Sequence, residues 1–178
     1  TTARSDYGIY LPVLREIEAD DTLSLHLIVS GMHLSADFGM TVNVIEDDGF
    51  AIGDRVESLT SSDTPLDISL TMSKALAGFA ESYSRVRPDI LVVLGDRFEM
   101  FPAALAALPF GIPVAHIHGG ELTQGAIDDA LRHSMTKLSH LHFVSTMEYA
   151  KRVRQLGEEP WRVVCCGAPG LDNLASIT

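Results

Sequence analysis

A chain of 178 residues, of which 46% are apolar, is long enough to form one domain with a sizeable core. The formal charge of -11 at pH 7 argues against general nucleic-acid binding and against an anionic membrane as a partner, because both would repel an acidic protein. The sequence shows no secretory signal and no apolar run near the ~20 residues that span a bilayer, so it fits a cytoplasmic enzyme or binding domain.

Short apolar runs alternate with segments of helical periodicity along the chain. Strands are predicted at residues 23–29, 50–56, 90–94, 113–117, 141–144 and 162–166. Helices are predicted at residues 7–17, 41–48, 66–83, 99–108, 128–137 and 147–155. Residues 1–8 are expected to form the loop after a strand that lies outside this chain. The alternation predicts an α/β domain with a doubly wound parallel sheet, Rossmann-like, and right-handed crossovers.

The two cysteines, Cys165 and Cys166, are adjacent at the end of the last predicted strand. Side chains of neighbouring strand residues point to opposite faces of a sheet, so a disulfide between these two is disfavoured. We expect free thiols, buried or half-buried, in a reducing compartment.

The strands predicted at 90–94 and 113–117 organise the candidate site. Ligands of parallel α/β sheets bind in the crevice beyond the carboxyl ends of the strands. Polar residues collect at these two ends. They are Asp96, Arg97, His118 and Glu121.

Gly95, Asp96 and Arg97 follow the first of these strands. Glycine allows a ligand to approach the backbone, aspartate can act as a base, and arginine can bind phosphate in a bidentate manner. A local ion pair between Asp96 and Arg97, or a helix cap, is the structural alternative.

His118, Gly119, Gly120 and Glu121 follow the second strand. The paired glycines would allow the backbone to bend around a ligand. If the two strands are neighbours, Glu121 lies near Asp96, and two carboxylates in one crevice raise each other's pKa toward the range of general acids and bases. A glycine turn with a solvated glutamate remains the alternative.

Three further candidates lie at the start of the helix predicted at 128–137, and one lies near the chain start. Asp128 follows the glycine loop closely, although an aspartate there can simply favour the positive end of the helix dipole. Arg132 and His133 reach either the crevice or a subunit contact. Arg4 either meets a diphosphate at the same sheet edge or is exposed to solvent.

A zinc site is the main rival interpretation. Strand alternation would place His116 and His118 on one face, where Glu121 or Asp96 could complete a metal site. The sequence has no helix-borne metal motif, and histidines at strand ends are often hydrogen-bonded structural groups.

Four motifs occur in order along the chain. They are Thr-Ala-Arg-Ser-Asp-Tyr-Gly at 2–8, Gly-Asp-Arg-Phe-Glu at 95–99, His-Ile-His-Gly-Gly-Glu at 116–121, and Asp-Asp-Ala-Leu-Arg-His-Ser-Met-Thr-Lys-Leu-Ser-His-Leu-His-Phe at 128–143. The set resembles the hydrolysing UDP-N-acetylglucosamine 2-epimerases, in the form that serves bacterial sialic and legionaminic acid synthesis. The resemblance covers nearly the whole chain.

The resemblance implies a GT-B type fold of two domains, of which residues 1–178 would be the N-terminal, Rossmann-like one. The first strand and the C-terminal domain would then lie outside this chain. An isolated fragment would be inactive, because the C-terminal half of the family carries most of the uridine and diphosphate contacts. The full-length protein would be a cytoplasmic homo-oligomer, either a dimer or a tetramer.

The resemblance also assigns roles to individual residues. Arg4, Gly95 and Arg97 would hold the UDP diphosphate, and Asp96 and Asp128 would be catalytic carboxylates. Gly119, Gly120, Arg132 and His133 would line the substrate site. Many members have glutamate where this chain has His118, so either His118 takes over that role or Glu121 supplies the carboxylate.

The implied reaction removes the proton at sugar C2 as UDP leaves C1, and water then adds at C1 while C2 is reprotonated on the opposite face. The product is N-acetylmannosamine or a diacetamido analogue, for nonulosonic acid biosynthesis. These steps require no redox cofactor and no metal ion. A zinc-dependent hydrolase using His116 and His118, or a non-catalytic module that binds sugar nucleotides, is the alternative.

Overall fold

A computed structural model describes residues 1–124 and 127–175 of the chain. The helices are α1 Arg4–Ala19, α2 Val42–Asp47, α3 Pro65–Val86, α4 Phe101–Ala107, α5 Asp128–Leu138, α6 Met147–Gln155 and α7 Asp172–Ala175. The strands are β1 Leu27–Ser30, β2 Ile52–Val56, β3 Leu91–Leu94, β4 Val114–Ile117, β5 Leu141–Val144 and β6 Val163–Cys165. Short 3-10 turns occur at Gly31–Leu34, Ala36–Phe38, Leu108–Phe110, Pro160–Arg162 and Pro169–Leu171.

The described strands pair in parallel, with helices as crossovers, which confirms the predicted α/β class. They form two sheets. One has the order β1-β2 and the other has the order β3-β4-β5-β6. A common core joins them, since Val29 of β1 and Val93 of β3 belong to the same buried cluster.

Thr1 lies along the free side of β1. Its backbone nitrogen donates to the carbonyl of Ile28 at 2.9 Å, and its carbonyl accepts from the amide of Ser30 at 3.0 Å. This is the hydrogen-bond pattern of parallel strands. The expectation that the first strand of the sheet lies outside this chain stays a prediction.

The prediction that residues 1–8 form a loop is wrong, because α1 already begins at Arg4. Tyr7, Tyr10 and Leu14 of this helix bury one face in the core. In its first turn Asp6 accepts a hydrogen bond of 2.6 Å from the hydroxyl of Thr2.

The expectation of buried or half-buried cysteines is also wrong. Cys165 and Cys166 are free thiols, as predicted, but both are exposed. The reason is that β6 is at the edge of its sheet. Val164, which precedes Cys165 in β6, is likewise exposed.

Two helices pack closely behind the site-bearing strands. The small side chains of Ala103, Ala104 and Ala107 on α4 are buried and allow α3 to approach. The hydroxyl of Tyr83 on α3 donates to the carbonyl of Ala103 at 3.1 Å. This packing fixes α4, and with it the segment that joins β3 to α4.

The loop expected around residues 122–126 is described only to residue 124, and residues 125–126 lie outside the described ranges. No helix in the described part of the chain is long and apolar enough to cross a bilayer.

Candidate active site

The carboxyl ends of β3 and β4 lie side by side, which fulfils the condition under which Glu121 was expected near Asp96. Leu94 pairs with Ile117 in the register of the two strands, and the amide of Gly95 donates to the carbonyl of Ile117 at 2.9 Å. Gly95 has a φ of +75°, and a Cβ atom there would meet no heavy atom within 4 Å. The positive φ of this turn favours glycine, and the space beside Gly95 is open to a ligand.

Asp96 is bound to helix α5. Its Oδ2 atom accepts hydrogen bonds from Nη2 of Arg132 and, at 3.1 Å, from the hydroxyl of Thr123. The Arg132 side chain is only 7% exposed, and its Nη1 atom lies 4.0 Å from Oε2 of Glu121. One buried guanidinium thus lies between the two carboxylates that the sequence expected to be neighbours.

Within residues 1–124 and 127–175, the hydrogen bonds to Glu121 reach one oxygen of its carboxylate. Its Oε1 accepts from Nδ1 of His118 at 2.5 Å and from the hydroxyl of Ser145 at 2.9 Å. Burial raises the pKa of Glu121, but the hydrogen bonds from His118 and Ser145 and the charges of His118 and Arg132 outweigh burial, so the pKa lies below its ordinary value. The expected mutual rise in pKa is therefore wrong for Glu121, because cationic and donor groups surround it.

Several buried polar atoms of this cluster lack a hydrogen-bond partner. Nε and Nη1 of Arg132, which are donors, and Nε2 of His118 make no hydrogen bond to any residue within 1–124 or 127–175. An unsatisfied buried polar atom is costly, so these atoms indicate a place that polar atoms of a ligand can fill.

Gly119 and Gly120 are buried, and protein atoms fill the space around them. A Cβ atom on Gly120, whose φ is +79°, would lie 2.5 Å from the carbonyl oxygen of Tyr149, and one on Gly119 would lie 3.1 Å from His116. The carbonyl of Gly120 accepts a hydrogen bond from Arg152. Close packing against α6 thus accounts for Gly120, and its role toward substrate stays a prediction.

The two histidines of the zinc interpretation have separate partners. Nε2 of His116 donates to the carbonyl of Gly95 at 2.8 Å, whereas Nδ1 of His118 donates to Glu121. His118 lies beyond the end of β4 with a φ of +65°, so the expected strand alternation does not extend to it. Over the described ranges no group of three or more His, Cys, Asp or Glu side chains is arranged to hold a metal ion.

Arg97 forms a second group beside this cluster. Its Nη2 atom donates to Oε1 of Glu99 at 2.9 Å. Burial lowers the pKa of Arg97, but Glu99, Asp6 and Asp128 outweigh burial and leave the pKa above its ordinary value. Asp128, the first residue of α5, therefore lies within electrostatic range of Arg97.

The two remaining candidates lie at the edges of the site. Arg4 is exposed as the first residue of α1. His133 lies one turn after Asp129, with its Nε2 atom 3.7 Å from the carboxylate. The predicted roles of Arg4 and His133 toward substrate stay predictions.

Three polar residues of this region were given no role from the sequence. Ser145 immediately follows β5, Thr123 follows Glu121 by two positions, and Glu99 precedes α4. The rule that selected Asp96, a polar residue just past a buried strand, could also have selected Ser145. No comparable local signal marks Thr123, whose hydroxyl bridges Arg132 and Asp96.

A parallel α/β sheet with polar side chains clustered at its carboxyl edge is typical of ligand-binding domains of the doubly wound class. The family model described as UDP-N-acetylglucosamine 2-epimerase matches residues 15–178. The chain belongs to this family.

Individual relatives agree with this assignment. The GDP/UDP-N,N'-diacetylbacillosamine 2-epimerase (hydrolyzing) of Campylobacter jejuni is 42% identical over 168 residues, which cover 94% of this chain and 44% of that protein. Polysialic acid biosynthesis protein P7 of Escherichia coli is 41% identical over 177 residues, which cover 99% of this chain and 45% of that protein. The chain therefore spans less than half the length of these relatives.

The solved structure of the UDP-GlcNAc 2-epimerase from Neisseria meningitidis bound to UDP-GlcNAc is also similar. Its TM-score is 0.85 at 20% identity, and the match covers 98% of this chain and 47% of that chain. At this identity the likeness shows the fold alone.

Proposed function

We propose that this chain is the N-terminal domain of a hydrolysing UDP-sugar 2-epimerase and carries its acid-base residues. The observation that supports this function is the cluster of Asp96, Arg132 and Glu121 at the carboxyl edge of β3 and β4. It offers two carboxylates for proton transfer at a sugar and, beside them, a buried cation with donors that bind none of the residues in 1–124 or 127–175.

The proposed reaction has two steps. In the first, a carboxylate removes the proton at C2 while the bond from C1 to the UDP oxygen breaks, which gives a 2-acetamidoglucal and UDP. In the second, water adds its hydroxyl at C1 and C2 receives a proton on the opposite face. The free manno-configured sugar results, and the overall change consumes one water.

Glu121 and Asp96 are the proposed acid-base pair. Oε2 of Glu121 takes no hydrogen bond from His118 or Ser145, both of which bind Oε1, so Oε2 can accept a proton. Asp96, with Arg132 and Thr123 on Oδ2, can stabilise positive charge that develops in the sugar ring. Asp128 and His118 are proposed to assist proton transfer.

The substrate-binding residues are proposed by position. Gly95 and Arg97, with Arg4, would hold the diphosphate, and Arg132, His133, Gly119 and Gly120 would lie around the sugar. The C-terminal domain of the full-length protein would supply the remaining nucleotide contacts, so the isolated domain is expected to be inactive. No redox cofactor or metal ion enters the proposed steps.

The proposed substrate is UDP-N-acetylglucosamine or a diacetamido analogue, for nonulosonic acid biosynthesis. The relative from C. jejuni is named for a diacetylated sugar and for both GDP and UDP, and the relative from E. coli is named for polysialic acid biosynthesis. We further propose a cytoplasmic homo-oligomer. Two exposed free thiols suit a reducing compartment.

Proton NMR of the full-length protein in deuterated water tests the function. UDP-N-acetylglucosamine, its diacetamido analogue and the GDP form of each are supplied in parallel. We expect release of UDP and a free manno-configured sugar with deuterium at C2, and loss of both in Asp96→Asn. Nucleotide sugars that all stay intact would show a binding module instead of an enzyme.

A further inference from the structure

Glu99 is a buried charged residue outside the proposed acid-base cluster. Its side chain is 0% exposed, and Oε1 accepts a 2.9 Å hydrogen bond from Nη2 of Arg97. Its Oε2 atom has no hydrogen-bond partner among the described residues. Burying a half-satisfied carboxylate costs stability, and apolar residues often replace buried ion pairs without loss. Stability alone therefore does not account for a glutamate at this position.

The surrounding backbone encloses Glu99 on the side of β1. Gly31, in the turn after β1, has a φ of +58°, and a Cβ atom there would lie 3.4 Å from Cγ of Glu99 and 2.9 Å from the carbonyl oxygen of Thr2. On the other side, Glu99 directly precedes the buried residue Met100 at the start of α4. The buried Glu99 side chain thus has little free space on the side of Gly31.

Arg97 is the residue that this buried carboxylate restrains. The Arg97 side chain is partly exposed, its Nη2 atom also lies 3.6 Å from the sulfur of Met32, and Nε is buried without a hydrogen bond to the described residues. The guanidinium is therefore held on its Nη2 side by Glu99 and Met32.

We propose that Glu99 is a positioning residue that orders the Arg97 guanidinium for binding the diphosphate of the nucleotide sugar. An arginine side chain loses several rotatable bonds when it grips a phosphate, and one that is already immobilised loses less freedom on binding. Glu99 acts through Arg97 and does not touch the ligand. The proposal rests on the proposed function, since it takes the ligand to be a nucleoside diphosphate.

A double-mutant cycle for UDP binding tests this role. Calorimetry measures the dissociation constant of UDP for the full-length protein, for Glu99→Gln and Glu99→Leu, for Arg97→Ala, and for both double variants. We expect Glu99→Leu to weaken UDP binding about tenfold and Glu99→Gln about threefold, because glutamine keeps an acceptor for Arg97. In the Arg97→Ala background both substitutions should change the constant less than about twofold.

Glu158→Gln is the matched control. Glu158 is another well-buried carboxylate, which binds Lys137 and His142 away from the crevice. This variant should lower the melting temperature and leave UDP binding unchanged. If Glu99→Leu does not fold, Glu99→Gln with its double variant completes the cycle.

The outcomes separate the proposal from the proposed function. Wild-type affinity in both Glu99 variants, or losses that persist without Arg97, would overturn the positioning role even in an active epimerase. A protein that binds UDP with the expected coupling but turns over no nucleotide sugar would retain the role of Glu99 and overturn the catalytic function. Absence of UDP binding to the wild-type protein would overturn both.

Discussion

The guanidinium of Arg132 donates a hydrogen bond to the carboxylate of Asp96, and this contact joins α5 to the end of β3. The same side chain reaches within 4.0 Å of Glu121 after β4. A single cation therefore lies close to both proposed acid-base residues. Its Nε and Nη1 atoms, which have no hydrogen-bond partner among the described residues, indicate where a substrate oxygen would be bound.

Arg132→Leu in the full-length enzyme should raise the pKa of Glu121, because a positive charge that favours the carboxylate is removed. The acidic limb of the profile of kcat/KM against pH should move to higher pH, and activity at neutral pH should fall about a hundredfold. Arg85→Leu is the control, since Arg85 pairs with Asp54 on β2, away from the crevice. An unshifted limb in Arg132→Leu would contradict the electrostatic role.

Ser145→Ala tests the hydrogen bond to Oε1 of Glu121 by itself. Without this donor the pKa of Glu121 should rise, so the acidic limb should move in the same direction as in Arg132→Leu, and kcat/KM should fall about tenfold. The matched control is Ser134→Ala, which removes a hydroxyl bound only to the carbonyl of Ala130 on the surface of α5. Equal pH profiles for the two serine variants would show that Ser145 does not tune Glu121.

Gly120→Ala should destabilise the fold. The new Cβ atom would lie 2.5 Å from the carbonyl oxygen of Tyr149, and φ is +79°, so we expect the free energy of unfolding to fall by about 3 kcal/mol. Gly39→Ala has the same backbone strain, with a φ of +81° but nothing within 4 Å, and should cost only about 1 kcal/mol. Urea denaturation measures both values. Similar losses in the two variants would mean that packing against α6 does not constrain Gly120.

His116 makes stability depend on pH. Burial is the main cause that lowers its pKa to about 4, against 6.5 for an ordinary histidine. Between these values the unfolded chain binds the extra proton and the folded chain does not, so stability is lost as the pH falls from about 6.5 toward 4. The loss from this residue is up to about 1.4 kcal/mol per pH unit.

Urea denaturation across this pH range checks the expectation. His116→Gln can still donate to the carbonyl of Gly95, and its free energy of unfolding should depend less steeply on pH than that of the wild type. His26→Gln is the control. The His26 side chain is partly exposed, so this variant shows the effect of removing a histidine outside the core. Parallel curves for wild type and His116→Gln would exclude this contribution.

Several local features of the fold were predictable from the sequence. The strand at 141–144 and the helix that starts at residue 128 occur where expected. The hydroxyl of Thr146 accepts from the amide of Tyr149 and caps α6, which occurs at the predicted residues 147–155. These features depend on residues that are close together in the chain, because apolar runs, helical spacing and capping chemistry are all local patterns. That the site residues follow strand ends at one edge of a parallel sheet was expected from the sequence, whereas the pairing of β3 with β4, which brings Asp96 near Glu121, was left as a condition.

Other features depend on tertiary contacts that no local pattern encodes. The sequence placed Arg132 on a helix but left open whether it faces the crevice or a subunit contact, because that choice depends on how α5 packs on β4. Arg132 lies between Asp96 and Glu121, and with the hydrogen bonds from His118 and Ser145 it lowers the pKa of Glu121, opposite to the expected rise. The exposure of Cys165 likewise follows from the edge position of β6, which strand composition does not reveal.

The sequence by itself determined the fold class, the edge of the sheet that carries the site, and most of the residue types found there. The fold class follows from short-range periodicity, and the site follows from strand ends that parallel sheets bring to one edge. Only the tertiary structure decided which charges neutralise one another, which glycines are packed and which are open, and which oxygen of Glu121 stays available. The physical reason is that electrostatics and packing act over a few ångströms in space, between residues such as Asp96 and Arg132 that are 36 positions apart in the chain.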